Sequence, residues 1–559
     1  MSETARSGVD SEVGWLLDRD QLSISPTRAS RIERAQSELF DLAVIGGGIH
    51  GVSIAKMAAR AGLSVLLLER ADYASGTSSR SSKMAHGGLR YLEMFDFKQV
   101  FEGIKAREEL FERLPNLVTP YKFLIPVKRG DRWFGFKLGV GLKLYDLMAR
   151  NSQHRHRWIP RAELSFTGFN SNRADLDGCY QYVDGIMNDA RIVFDILVSA
   201  QSYGCCALNY ALVERLEREG DGSVRISWRD LTRDSGALCS RARLVINCAG
   251  PWAPLLQAGS PGVPQARYSR GSHLLFSVPW RDPALFLPLA EKGRYYFVWP
   301  HATGTMVGTT EREVDSLELD PLPAVDEIQE ILTRLKRDLP SSNLDRSTMH
   351  YAFAGVRTLP LRSSSKGGAG KGVSQLSRKH RWGFVDGVLT LVGGKWTTFA
   401  WTAEEGLRLA LEKLGRGDVN VPGALDDLPA GLSRVGAERL SAHIAERFGV
   451  SVEAANRVTK RLGRSVTRYF NRKEAWRELP GGLLALELLH AVELEQALGV
   501  EDVIRRRLDL EFTPSRGVEL AGEVSAVLAG RCDASWLAHS ERAWREHLAE
   551  VGRRCNPEL

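Results

Sequence analysis

Three glycines and one acid carry the first recognisable chemistry in this sequence. Gly46, Gly48 and Gly51 stand in the order G-x-G-x-x-G, with Gly47 between the first two, and Glu69 follows 23 residues after Gly46. In such a run the first glycine permits a tight turn and the second lets backbone approach a pyrophosphate. The third lets the following helix pack on the preceding strand. The helix N-terminus offers unsatisfied N–H groups and a partial positive charge to phosphates. A carboxylate at Glu69 can accept hydrogen bonds from ribose hydroxyls. This is a dinucleotide site, and the fingerprint by itself fits NAD and FAD alike.

The elements that must hold these residues read clearly. Phe40–Ile45 is a short apolar run of strand type, and Ile49–Arg60 reads as a helix rich in Ala, Ile and Met. Ala61-Gly62 ends the helix, and Ser64–Leu68 is a second strand closed by Glu69. The result is a β–turn–α–β unit of the length that parallel strands need. Leu244–Asn247 and Leu389–Val392 read as later strands that run into small-residue turns at Ala249-Gly250 and Gly393-Gly394. Tyr295–Trp299 and Thr305–Gly308 add mixed strand patterns between them. From about Arg416 apolar spacing near 3.6 takes over, in the segments 433–448, 482–498 and 541–555, and predicts a helical C-terminal domain. The expected fold class is α/β. A Rossmann-like nucleotide-binding domain with a parallel sheet is interrupted by an α+β substrate domain with a mostly antiparallel sheet. The expected division is a flexible leader at 1–36, an oxidoreductase region at 37–415 and the helical domain at 416–559. Within the middle region the nucleotide-binding segments fall at about 38–125, 190–255 and 355–415, and substrate-facing segments at about 126–189 and 256–354. Residues 363–377, rich in Gly, Ser and Lys, read as a surface loop.

Composition narrows the function classes. The 559 residues are 43% hydrophobic and 26% charged, which argues for packed domains and against a disordered chain. Seventy-five Lys and Arg against 68 Asp and Glu leave a formal charge of +7, too small an excess over this length to indicate nucleic-acid binding. The seven cysteines include no CxxC, which suits reduced thiols in a cytosolic protein with neither a disulfide framework nor a metal site. No stretch has the roughly 18 apolar residues of a membrane span, and the acidic start reads as neither a secretory signal nor a transit peptide.

The stretch that separates FAD from NAD is Thr77–Glu93, where a hydroxyl-rich run leads into Gly87-Gly88. Such a run brings backbone amides and small side chains to a second phosphate and to a flavin ring. Several motifs then converge: FDLAVIGGGIHG from Phe40, GTSSRSSKMAHGGLRYLE from Gly76, RGSH from Arg270, VWPHATGTMVGTT from Val298, AGVRTLP from Ala354 and GGKWTT from Gly393. Together with HAVELEQALGVEDVIRRR (His490–Arg507) they resemble the FAD-dependent glycerol-3-phosphate dehydrogenases, within the D-amino-acid-oxidase-like flavoproteins. The resemblance covers about residues 38–532. His50 stands where that family usually has a small or amide side chain, and Glu311 where an Asp is usual.

The resemblance implies FAD as cofactor, with no metal. Its expected contacts are Gly46, Gly47, Gly48, Gly51, Glu69, Thr77, Ser78, Ser79, Ser82, Lys83, His86, Gly87, Gly88, Leu89, Ala249, Gly250, Gly393, Gly394, Lys395 and Thr397. It also implies sn-glycerol 3-phosphate as substrate. A dianionic headgroup needs cations, and Arg90, Arg357, Arg378 and Lys395 supply them, with Tyr91 as a hydrogen-bonding neighbour. Arg90 and Arg357 sit among apolar and glycine residues, where an uncompensated charge would be costly without an anion. His273 is the candidate general base and His86 its rival. The catalytic set is thus His273, Arg357 and Lys395. The reaction implied is hydride transfer from C2 to the flavin, forming dihydroxyacetone phosphate and passing electrons to a quinone.

Lys122 to Arg161 holds ten Lys and Arg and only two acids, interleaved with Trp133, Phe134, Phe136, Leu142, Leu144, Tyr145 and Trp158. That mixture fits an anionic bilayer surface, and the family implies a peripheral enzyme on the inner face of the cytoplasmic membrane. No nucleic-acid module accompanies it, and a homodimer stays open. Two other readings compete: a peroxide-producing glycerol-phosphate or amino-acid oxidase, and a non-catalytic flavin-bound sensor or scaffold.

Overall fold

The computed structural model describes residues 26–89, 96–148, 154–164, 176–234, 236–289, 294–361 and 379–556. β1 (Leu39–Ile45) is apolar on both faces because both are covered, and Phe40, Leu42, Ala43 and Val44 have no exposed surface. It runs through the glycine turn into α1 (Ile49–Arg60) and returns as β2 (Val65–Leu68), parallel to β1 with Leu42 beside Val65 and Ile45 beside Leu68. On the other side β1 pairs in parallel with β3 (Leu238–Asn247). Cys206–Leu208 extends this parallel core beyond β2, and Val388–Val392 extends it beyond β3. Arg381–Val385 closes one edge antiparallel, and Ala211–Arg218 with Val224–Asp230 adds an antiparallel pair against the start of β3.

The second sheet is antiparallel except where Ala284–Pro288 runs alongside Val118–Lys128. Its axis is β4 (Ala266–Phe276), which pairs with β5 (Met349–Pro360) along nearly its whole length and with Gly304–Gly308 on its other side. The register sets Ser269 opposite Arg357 and His273 opposite both Phe353 and Gly308. Val118–Lys128 and Met349–Pro360 belong to this sheet, although the sequence expectation assigns most of the first and the end of the second to nucleotide-binding segments. Neither has the small-residue turn that marks the parallel strands, and their partners lie far off in sequence.

α2 (Arg132–Met148) buries Leu142 and Tyr145 and turns Trp133, Phe136, Val140 and Leu147 outward. Beyond residue 416 the chain is helical, with Arg434–Phe448, Val452–Leu462, Ala485–Glu493, Ala521–Leu528 and Ala534–Cys555 as its main helices. The helical pattern over 482–498 forms a helix only from Ala485 to Glu493; Asp502–Arg507 is a separate π-helical turn. Lys56 of α1 ties this region to the nucleotide fold. Its ammonium has no exposed surface and donates to the carbonyls of Gly423 (3.1 Å), Ala424 (3.2 Å) and Asp426.

Candidate active site

A cavity of about 560 Å³ lies between the two sheets. The glycine turn forms part of its wall. Gly46 has φ +104, and a Cβ there would sit 2.5 Å from the carbonyl oxygen of Cys248. A Cβ on Gly51 would come within 1.9 Å of the Gly46 carbonyl oxygen, so the helix can approach the turn only as glycine. Gly47 N–H donates to Glu69 Oε2 (2.6 Å) and Ala71 N–H to Oε1 (2.8 Å), which fixes the carboxylate at the end of β2. Burial pushes the Glu69 carboxyl up, against these two hydrogen bonds.

The hydroxyl run docks onto this turn. Ser78 Oγ accepts from Ile49 N–H (2.9 Å) at the start of α1, and Trp396 Nε1–H donates to the Ser78 carbonyl (3.2 Å). Thr77 Oγ1–H donates to the Val356 carbonyl (2.8 Å), stitching the run to β5. Of the expected cofactor contacts, Gly46, Gly48, Glu69, Thr77, Ser78, Ser82, His86, Gly88, Leu89, Ala249, Gly250, Gly393, Gly394, Lys395 and Thr397 line the cavity. Five do not. Gly47 and Gly51 act beneath the surface, the first by its hydrogen bond to Glu69 and the second by its contact with Gly46. Ser79 accepts from the Lys83 ammonium through its carbonyl. Lys83 itself is buried, 2.6 Å from Asp189 Oδ1 and over the Phe512 ring, so its charge is already compensated. Gly87 N–H is held by Asp184 Oδ1 (3.1 Å), and a Cβ there would strike the Tyr145 hydroxyl at 2.1 Å.

On the substrate side, His273 and Arg357 stand on neighbouring strands and line the same cavity. His273 is 2% exposed, stacked on Phe353 at 4.8 Å and edge-on to Trp299, with Nε2 2.9 Å from Ser82 Oγ and Nδ1 without a hydrogen-bond partner among the described residues. Burial first, then the charges of Arg357 and Lys83, hold its pKa down to about 3, so the ring is neutral. Arg357 donates to Thr309 Oγ1 (3.0 Å). Its guanidinium lies across Gly271 of β4, where a Cβ would come within 2.3 Å. A Cβ on Gly308 would come equally near His273 Cδ2. Glycines opposite and diagonal thus clear the space that both side chains occupy. Lys395 lines the same cavity. Arg90, Tyr91, Arg378 and the 363–377 loop lie outside the described residues.

The cavity also takes residues that the sequence reading does not select. Arg80, Asp184, Trp252, Arg294, Tyr295 and Thr310 line it. Arg80 and Thr310 stand inside or beside quoted motifs, so position was the available signal; Asp184 and Arg294 had none. His50 lines it too, with Nε2 buried and unpartnered among the described residues and its pKa held down to about 3 by burial and then by His380.

A flavin dinucleotide fits this donor set. The cleared glycine turn, the helix N-terminus, the Glu69 carboxylate and the hydroxyl run all line one cavity, together with Arg357 and Lys395. Comparison with known proteins agrees. The profile of the FAD dependent oxidoreductase (DAO) family matches residues 41–397, and the chain belongs to that family. A glycerol-3-phosphate dehydrogenase of Synechocystis sp. is 33% identical over 410 residues, covering 70% of this chain and 74% of its own length. The aerobic glycerol-3-phosphate dehydrogenase of Staphylococcus epidermidis is 28% identical over 552 residues, 95% of this chain and 97% of its own. The crystal structure of the glycerol-3-phosphate dehydrogenase from Bacillus halodurans, complexed with FAD, superposes with a TM-score of 0.75 at 25% identity, covering 95% of this chain and 98% of that one. Within the FAD-dependent oxidoreductases, the chain stands with the glycerol-3-phosphate dehydrogenases.

Proposed function

We propose that this chain oxidises sn-glycerol 3-phosphate to dihydroxyacetone phosphate and delivers the electrons to a membrane quinone. The observation that carries the reading is that the buried His273 and the Arg357 guanidinium line the same cavity as the dinucleotide turn. Bound FAD supplies the acceptor for the hydride that leaves C2. The turn at Gly46–Gly51 and the Thr77–Ser82 run hold the cofactor, and Glu69 takes its ribose. Arg357 and Lys395 grip the phosphate dianion, Arg357 as a planar fork and Lys395 as a compact charge.

His273 takes the proton of the C2 hydroxyl. A phosphate dianion against Arg357 offsets the charge that holds the imidazole pKa down, so substrate binding itself raises the base strength of the ring. Phe353 and Trp299 fix the ring plane, and Ser82 fixes Nε2. The products balance: the C2–H electron pair goes to the acceptor, the hydroxyl proton to His273, and C2 becomes a ketone.

The quinone and membrane part of the proposal rests on α2. Trp133, Phe136 and Leu147 are 65%, 62% and 77% exposed, and the Lys137 ammonium lies over the Trp133 ring. Among the described residues no helix is long and apolar enough to cross a membrane, so the contact proposed is peripheral. The deciding experiment is anaerobic addition of sn-glycerol 3-phosphate to the FAD-loaded protein. The yellow flavin absorbance should bleach and a quinone analogue should restore it. Flavin that stays oxidised, or that bleaches with amino acids instead, removes the substrate claim; peroxide release in air without need of quinone favours the oxidase reading.

A further inference from the structure

Three consecutive arginines end the motif that resembles the family's helical domain, well beyond residue 397 where the oxidoreductase match stops. Arg505, Arg506 and Arg507 are 5%, 5% and 2% exposed, so none is a solvated surface charge. They lie on one π-helical turn, and two of them share a partner. Arg506 Nε lies 2.6 Å from Asp72 Oδ2 and Arg507 Nη2 2.9 Å from Asp72 Oδ1, just past the end of β2. Arg505 instead turns toward Arg80 of the hydroxyl run. It forks the carboxylate of Asp320, with Nη1 2.7 Å from Oδ2 and Nη2 3.2 Å from Oδ1. The same carboxylate takes the Arg80 guanidinium on Oδ1 and His547 Nδ1 on Oδ2 at 3.0 Å.

Both neighbours of this carboxylate belong to the cavity wall. Arg80 lines it, as does Leu319, which precedes Asp320 in the chain. Arg80 is further held by its Nε–H to the Ser75 carbonyl at 3.0 Å. Its backbone fits β5 so closely that a Cβ on Gly355 would come within 2.5 Å of the Arg80 carbonyl oxygen. Gly355 and Arg357 are two residues apart on one strand and therefore point to the same face. This contact joins Arg80 to the stretch of strand that carries Arg357.

We infer that Arg505 is a positioning residue for the reaction, acting through Asp320 and Arg80 on the anion grip at Arg357. The inference rests on the proposed glycerol-phosphate reading. A buried ion cluster is weak evidence for stability, because desolvation offsets the attraction; its geometry is the informative part. A bidentate fork fixes both oxygens of Asp320, whereas a point charge fixes one.

The test uses FAD-saturated full-length Arg505→Lys and Asp320→Glu, which keep every charge and change only geometry. With an artificial dye as acceptor, KM for sn-glycerol 3-phosphate should rise by about tenfold while kcat stays within about twofold of wild type. A KM equal to wild type in either flavin-saturated variant overturns the inference, whatever happens to the melting temperature. Loss of flavin or of the fold in both variants overturns it as well, since the cluster then serves the cofactor or the scaffold. A wild-type holoenzyme that does not turn over sn-glycerol 3-phosphate removes the functional reading itself, and this inference falls with it.

Discussion

The Arg357 guanidinium lies over Gly271, the residue diagonal to it on the neighbouring strand, at a distance no side chain would allow. Gly271 has no positive φ that would demand glycine, so its lack of a Cβ serves the arginine and not the backbone. Gly271→Ala should leave the fold intact and push the guanidinium aside. Loss of a charge-assisted contact of about 1.5–3 kcal/mol raises KM for glycerol 3-phosphate about tenfold or more. Steady-state kinetics beside a melting curve check this; an unchanged KM means Arg357 does not meet the phosphate.

His273 and Ser82 should separate in effect. His273→Ala removes the proposed base, and kcat should fall by roughly 10²–10⁴. Ser82→Ala removes only the hydrogen bond to Nε2, worth about 1 kcal/mol, and kcat should fall about fivefold. Rapid-mixing measurement of flavin reduction at saturating substrate distinguishes them. Equal losses would give Ser82 a share in the chemistry.

Gly51→Ala tests the nucleotide turn without touching the substrate side. The added Cβ meets backbone, the Gly46 carbonyl oxygen at 1.9 Å, which cannot rotate away as a side chain does. The purified variant should lose bound FAD, seen as colourless protein with free-flavin fluorescence in the filtrate. A fully yellow Gly51→Ala protein contradicts the packing described for α1.

Acid should destabilise the protein through the neutral, half-buried His301. Burial is the largest cause that holds His301 down to about 3, against an ordinary 6.5. Between those values the unfolded chain binds a proton that the native chain refuses, so this contribution is full above about pH 6.5 and is lost as pH falls toward 3. Asp195, pushed up to about 7 by burial, acts with the opposite sign in part of that window, so the isolated effect is the informative one. The drop in melting temperature from about pH 7 to about pH 5 should be smaller in His301→Gln than in wild type. Equal drops would show that His301 is already protonated in the native state.

The exposed aromatics of α2 give a test independent of turnover. Trp133→Ser with Phe136→Ser should weaken sedimentation with vesicles rich in anionic lipid while leaving dye-linked kcat unchanged. Vesicle binding equal to wild type would move the contact elsewhere.

What the sequence reveals follows the range of each interaction. The glycine turn is legible because its constraints are local: the φ of Gly46 and the contact of Gly51 with Gly46 need only residues 46–51. The hydroxyl run is legible as a cofactor loop, but not which of its members face inward. Lys83 turns away to Asp189 and Gly87 to Asp184, partners about a hundred residues on whose placement depends on the antiparallel register. Arg357 and His273 appear in motifs, while the cavity they share is set by the pairing of β4 with β5. Arg80 shows the same limit, since only Asp320 and Arg505, from two other regions, give its position meaning.

The ammonium of Lys56, enclosed by carbonyl oxygens of residues 423–426, bears on how the molecule can be divided. A chain cut near residue 415 would keep every residue of the family match yet take away all three carbonyl acceptors of this buried cation. The first segment after the family match therefore closes over the opening helix, and the two share one buried contact.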